Sequence, residues 1–265
     1  MRTAKLILAT SPTVAMTLAT SQSAAAVSQE FTIPNNSDTR FVEKSSTASN
    51  SPTPESATLR VLDGTIDSTK LTPSGEQFEW IIPTADSATT RTFEVEMDGA
   101  VSLQIHKESG AIVVKLDESP VAIIKSPWAK DANGLDVPTY FSGEGNRFTQ
   151  HVETSSGDYA YPITADPRFD WGIVSGHAYF SKEETRKMAA SSAAAAAVSP
   201  FWVLVPPPAG EAIGYWWVSN SYSVAAWATS AIAQDKCLVL KFGVTGTKLP
   251  PSVGVSPDHY TDGCV

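Results

Sequence analysis

Cysteine is almost missing from this chain: its 265 residues carry two, Cys237 and Cys264. No Cys-x-x-Cys and no His-x-x-x-His occurs, so a structural or catalytic zinc has no support in the sequence. The Gly-x-Ser-x-Gly spacing that strains a serine nucleophile into reach is also lacking, since Gly172-Ile-Val-Ser-Gly176 sets its residues differently. Basic side chains are scarce, with 19 Lys and Arg against 28 Asp and Glu, a formal charge of −9. An acidic surface repels nucleic acid and anionic headgroups, and no polybasic run offsets it, so no nucleic-acid partner is expected. Crossing a bilayer takes about 20 uninterrupted apolar residues. No such run is present.

What is present begins with an export signal. Met1-Arg-Thr-Ala-Lys5 is a short positive segment, and Leu6–Thr20 is an apolar run broken by Thr, Ser and Pro12. Ala24-Ala-Ala26 supplies the small residues of a cleavage site, so residues 1–26 read as a signal peptide cleaved near Ala26. Cleavage removes Arg2 and Lys5 and no acid, which makes the mature chain two charges more acidic. In an exported chain an even pair of cysteines forms a disulfide, here Cys237–Cys264. The rival reading makes Cys237 a nucleophile with His259 as its base, but no catalytic signature surrounds Cys237.

Residues 27–57 are rich in Asn, Ser, Thr and Pro and poor in apolar side chains, and read as a flexible linker. From Thr58 the pattern changes. Phe93, Val95 and Met97 share one face while Thr92, Glu94 and Glu96 share the other, the mark of a half-buried strand. Similar alternation recurs through Ile163 at roughly ten-residue spacing. Residues 58–169 therefore predict a β-rich domain, an antiparallel meander forming a sandwich or a partly closed barrel. Trp80 and Trp128 are the expected large core residues. The organising stretch is Ser126–Tyr140, with a turn at Asn133-Gly134, echoed by Tyr159–Pro167.

Residues 170–265 read as a helical hairpin followed by a short strand region closed by the cysteines, giving an α+β chain. Ser181-Lys-Glu-Glu184 fits a capping box, opening a helix that runs through the alanines at 193–197 and ends before Pro200. A second helix is expected over 209–234, with Trp216, Trp217 and Trp227 among small residues that permit close packing. It is long enough to span a membrane, yet Glu211 and the serines at 219–223 would be poorly satisfied in hydrocarbon. Packing within the protein, without stable membrane insertion, is the expected outcome.

Candidate chemistry is thin. Asp131-Ala-Asn-Gly-Leu-Asp136 is oxygen-rich like a calcium loop, but it lacks the full ligand spacing and the closing Glu, so a plain turn is favoured. His151, His177, Asp158, Asp166 and Ser175 supply the residue types of a triad without its motif. No catalytic, cofactor-binding or metal-binding residue is assigned.

Pro127–Tyr140, Gly145–Val152 and Tyr161–Pro167 resemble a block found in uncharacterised exported proteins of actinobacteria, and the Tyr179–Arg186 region and Cys-closed tail are similar to their C-terminal parts. The resemblance covers residues 58–265. It implies export and a β-plus-helical-hairpin build, and supplies no activity. The expected function is that of an exported, non-enzymatic binding or interaction protein of a Gram-positive envelope, with an unidentified envelope or extracellular partner. The rivals are a membrane-active, bacteriocin-like or toxin C-terminal region and a cell-wall hydrolase.

Overall fold

A computed structural model describes residues 28–35 and 55–265, apart from 108, 172, 175, 199, 206 and 246–251. The signal peptide and Ser175 lie outside the described residues. In chain order the first strands are β1 (Gln29–Pro34), β2 (Ser56–Val61), β3 (Ser68–Thr72), β4 (Gly75–Ile82) and β5 (Thr90–Glu96). Then come β6 (Val101–Ile105), β7 (Ile112–Leu116), β8 (Ser119–Ile124), β9 (Trp128–Lys130), β10 (Thr139–Glu144) and β11 (Arg147–Val152). β12 (Ile163–Asp166) and β13 (Arg168–Asp170) follow, and β14 (Ile173–Val174) and β15 (His177–Tyr179) open the C-terminal lobe. That lobe continues with α1 (Lys182–Ala190), α2 (Ser192–Ala196), α3 (Ala209–Ser219), α4 (Ser221–Ala233), β16 (Cys237–Thr245) and β17 (Ser252–Tyr260).

Every named strand pairing is antiparallel. One sheet has five strands in the order β1-β2-β5-β11-β10, and a second has eight, from β6 through β7, β8, β13, β4 and β12 to β9, with β3 on β4. Their inner faces share one core, in which Leu59, Phe93, Val95 and Phe148 of the first sheet meet Phe78, Trp80, Ile112 and Ala165 of the second. This is a sandwich, not a closed barrel. Gln150 is the polar tie between its layers: buried on β11, it accepts from Trp80 Nε1 at 2.9 Å and donates to the Trp128 carbonyl at 3.2 Å.

The organising stretch and its echo pair with each other. Trp128, Ala129 and Lys130 lie opposite Asp166, Ala165 and Thr164, while across β8 and β13 Ile124 lies opposite Phe169. Pro127 and Pro167 break both strands at the same level, because neither proline can donate to the ladder. β4 therefore pairs with β12 along one half and β13 along the other. Gly75 is required there by close approach: a Cβ would stand 2.1 Å from the Phe169 carbonyl oxygen.

The linker expected over 27–57 is corrected in part. Gln29–Pro34 is a strand at the edge of the five-stranded sheet, with Ile33 fully buried, and Ser56-Ala57 already belong to β2. Phe31 and Ile33 alternate with polar residues, and that short pattern finds its apolar partner across the sandwich. Residues 36–54 lie outside the described residues. The echo at Tyr159–Pro167 becomes strand only from Ile163, and Trp128 is half-buried while Trp80 is fully buried.

The C-terminal lobe has its own core of Phe180, Met188, Phe201, Trp217, Val224 and Leu240, joined by Ile123 from the eight-stranded sheet and by Ala111 just before β7. The capping box forms as expected, with Glu184 N–H donating to Ser181 Oγ and Ser181 N–H to Glu184 Oε2. The first helix is interrupted at Ser191, whose hydroxyl accepts from Ala194 N–H and starts α2 afresh. The second divides at Asn220, where the side chain donates to the Trp216 carbonyl. Gly210 lets α3 press onto the preceding turn, since a Cβ there would lie 2.3 Å from the Val205 carbonyl oxygen. β14, β15, β16 and β17 form a third sheet, and the Cys237–Cys264 disulfide ties its last hairpin to the chain end. Among the described residues no helix is long and apolar enough to cross a membrane.

Candidate functional site

Polar side chains gather in two places, one shut and one open. The shut one lies where the C-terminal lobe covers the eight-stranded sheet. Alternation along β13 sends Phe169 into the sandwich core and Arg168 and Asp170 to the opposite face, where Lys125 joins them from the adjoining strand. The cover is the start of α1, which brings Glu184, and Tyr260 at the end of β17. Lys125 Nζ stands 3.6 Å from Asp170 Oδ2 and 3.4 Å from Glu184 Oε1, and 5.5 Å from the centre of the Phe180 ring. Asp170 also accepts from Ser74 Oγ at 2.7 Å.

Arg168 is held by the charge of its neighbours, with Tyr260 beside its guanidinium. Its Nη2 is 3.6 Å from Asp170 Oδ2, and the whole guanidinium is buried. Burial pushes its pKa down, but Tyr260, Asp170 and Glu184 outweigh that and raise it. Two cations therefore balance two carboxylates, the condition under which buried charge is tolerated. Tyr260 donates to the Phe180 carbonyl at 2.6 Å, and burial lifts its own pKa to about 12 against the pull of Arg168. Asp166 adjoins this cluster. Burial pushes its carboxyl well above the usual range, although the Trp128 N–H, Lys187 and Arg168 act the other way.

The open place is the outer face of the five-stranded sheet. A charge ladder crosses β1, β2, β5 and β11: Arg60 reaches Glu30 at 2.8 Å and Glu96 at 2.9 Å, and Arg147 reaches Glu94 at 2.9 Å. Beyond it Tyr140, 48 % exposed, stacks on His151 with ring centres 4.7 Å apart, and Ser142 Oγ meets His151 Nε2 at 2.7 Å. A shallow depression beside them is lined by Ser142, Glu144, Arg147 and Thr149.

A serine touching an imidazole is the start of a nucleophile, and the signal for it was available: Tyr140 and His151 flank a two-residue turn at equal distance. The rest of the machinery is not assembled. His151 Nδ1 meets no carboxylate among the described residues, so nothing fixes the tautomer that a base requires. Nor are His151, Asp166 and His177, named from sequence, brought together. His151 lies on β11 and Asp166 under the C-terminal lobe, while His177 lies on β15 beside Tyr179.

The Asp131 turn is closed by backbone. Asp131 Oδ1 accepts from the N–H groups of Asn133 and Leu135, Oδ2 accepts from Ala160 N–H, and Asp136 pairs with Lys130. Those bonds make Asp131 the side chain that closes a turn. No group of three or more metal-ligating side chains occurs among the described residues. Cys237 is tied to Cys264 with Cα atoms 5.5 Å apart, which removes the nucleophile reading, and His259 contacts Gln234 instead. No family model, no curated protein and no solved structure matches this chain.

Proposed function

We propose that the chain is an exported, non-enzymatic binding or interaction protein that works at a Gram-positive cell envelope. One observation carries the non-enzymatic part: the groups with strongly shifted pKa values, Asp166 and Tyr260, are buried, whereas the accessible Tyr140–Ser142–His151 group lacks an orienting carboxylate among the described residues. A broad antiparallel sheet with an open polar face and a flat aromatic–imidazole pair suits recognition better than turnover. The Met1–Ala26 signal and the disulfide support work outside the cytoplasm. The resemblance to exported actinobacterial proteins points the same way.

The test incubates purified mature protein with isolated cell wall and envelope proteins, and in parallel with peptidoglycan and generic ester and peptide substrates. Saturable binding without product is expected. Turnover abolished by Ser142→Ala or His151→Ala would replace this reading with the hydrolase.

A second reading has one observation in its favour. Tyr215, Val218 and Tyr222 are 79 %, 59 % and 81 % exposed at helical spacing along α3 and α4, as on a membrane-surface helix. Against it, Trp217 is fully buried, and Trp216 stacks on Trp227 with centres 6.3 Å apart. Release of vesicle dye by the mature protein at low micromolar concentration, lost in the Tyr215→Ser/Tyr222→Ser variant, would favour the membrane-active reading.

A further inference from the structure

β1 is attached to its sheet as a ligand would be. Its six residues pair with β2 in unbroken register, Gln29 opposite Val61 through Pro34 opposite Ser56. Neighbouring antiparallel strands are usually joined by about two to five residues. Here the connection takes residues 35–55, although its two ends already touch through Asn35 N–H and the Glu55 carbonyl at 2.7 Å. The hydrophobic register, not a tight turn, selects the position of β1.

Four of the six side chains of β1 meet distinct features of the sandwich. Ile33 enters the sandwich core, and the half-buried Phe31 ring packs edge-on to Phe78 of the opposite sheet at 5.2 Å. Gln29 Oε1 accepts from Ile66 N–H at 2.7 Å, and Glu30 meets Arg60 on the outer face. Backbone pairing supplies attraction while alternate side chains supply specificity, the logic of peptide recognition by strand addition.

We propose that the side of β2 covered by β1 is an acceptor edge for an extended polypeptide segment supplied by a partner, and that β1 is its resident occupant. The inference rests on the reading of this chain as an interaction module and names the partner's chemistry. The partner strand carries an acidic residue to meet Arg60, then a large aromatic or aliphatic residue for the Phe31 position. One polar residue later it carries an aliphatic residue for the Ile33 pocket. A strand of that pattern displaces β1 and takes over its backbone bonds to β2.

Tethering sets the competition. The covalent connection through residues 35–55 holds β1 near its site at a raised effective concentration, and untethering weakens such an intramolecular contact by about 10²–10⁴-fold. The probe is a fluorescein-labelled peptide with the sequence of residues 28–35. It is titrated into the intact mature protein and into the same protein with a specific protease site replacing Ser45–Asn50, after cleavage. Expected is saturable uptake by the cleaved protein, at least about 100-fold tighter than by the intact one. A peptide with Phe31→Ser and Ile33→Ser should bind at least tenfold more weakly, and Glu30→Lys should also weaken binding by placing its cation beside Arg60.

Cleaved protein that has lost its fold would blur this result, so a second, uncleaved variant is included. Phe31→Ser/Ile33→Ser in the full chain weakens the resident strand, and should bind the wild-type peptide at least tenfold better than the unmodified protein does. Absence of uptake by both forms, or uptake indifferent to peptide sequence, overturns the proposal. The envelope-binding assay reads the other claim separately. Binding to envelope without peptide uptake removes the acceptor edge and leaves the interaction module standing. Peptide uptake without envelope binding does the reverse.

Discussion

Replacing Asp170 with Ala should unfold this protein more readily than almost any other single change. The carboxylate is 1 % exposed, accepts from Ser74 Oγ at 2.7 Å, and stands 3.6 Å from both Lys125 Nζ and Arg168 Nη2. At an effective dielectric of about 20, each charge contact of this length amounts to about 4–5 kcal/mol of gross attraction, before desolvation is set against it. Removing the carboxylate leaves Lys125 and Arg168 facing Glu184 alone, in a place water does not reach. Breaking a buried pair from one side costs about 3–5 kcal/mol, and that is the loss expected in urea denaturation. The Lys125→Met/Asp170→Asn double variant removes one charge of each sign and keeps an acceptor for Ser74. Its cost should fall short of the sum of its two single variants by at least about 1.5 kcal/mol. An Asp170→Ala loss under about 1 kcal/mol, or single costs that add within about 0.5 kcal/mol, would refute the reasoning.

Three other outcomes follow from the same geometry. Cys237→Ser/Cys264→Ser opens a loop with a sequence separation of 27, and should lower stability by about 3–4 kcal/mol on the chain-entropy account, read as a fall in the denaturation midpoint. Asp166→Asn should stabilise the protein at pH 7. The buried carboxyl is raised well above its ordinary value, so the folded state is penalised once pH exceeds the unfolded pKa, and the advantage of Asn should vanish below about pH 4. Tyr260, lifted to about 12, binds its proton more tightly when folded. Stability should therefore fall as pH rises from about 10 toward 12, by up to about 3 kcal/mol from this group, and the tyrosinate absorbance of Tyr260→Phe should lose its latest-titrating component.

Much of the sandwich was legible because its strands obey a period of two. Phe93 and Val95 point inward between Thr92, Glu94 and Glu96, and the pattern alone placed β5. β1 escaped because two apolar residues in a Ser- and Asn-rich stretch carry too little signal, and its stability comes from Phe78 and the core beyond. β3 escaped for the opposite reason: Ser68 to Leu71 are all exposed, so no alternation marks it. β17 contains Pro257, which argues against a central strand, and an edge is where it lies. The shut polar cluster shows why site reading is harder than fold reading. Asp166, Arg168 and Asp170 alternate like an exposed polar face, and groups remote in sequence, Glu184 and Tyr260 among them, cover them. The Ser142–His151 contact depends on cross-strand register, set by the Gly145-Asn146 turn.

The central claim is recognition without chemistry at the cell envelope, and co-sedimentation with isolated envelope tests it most directly. Mature protein should sediment saturably with the envelope fraction and be competed off by unlabelled protein. Wall polymer and generic ester and peptide substrates should stay intact over the same period. Protein that remains in the supernatant at every concentration, or product that disappears when Ser142 or His151 is replaced by Ala, would contradict the account.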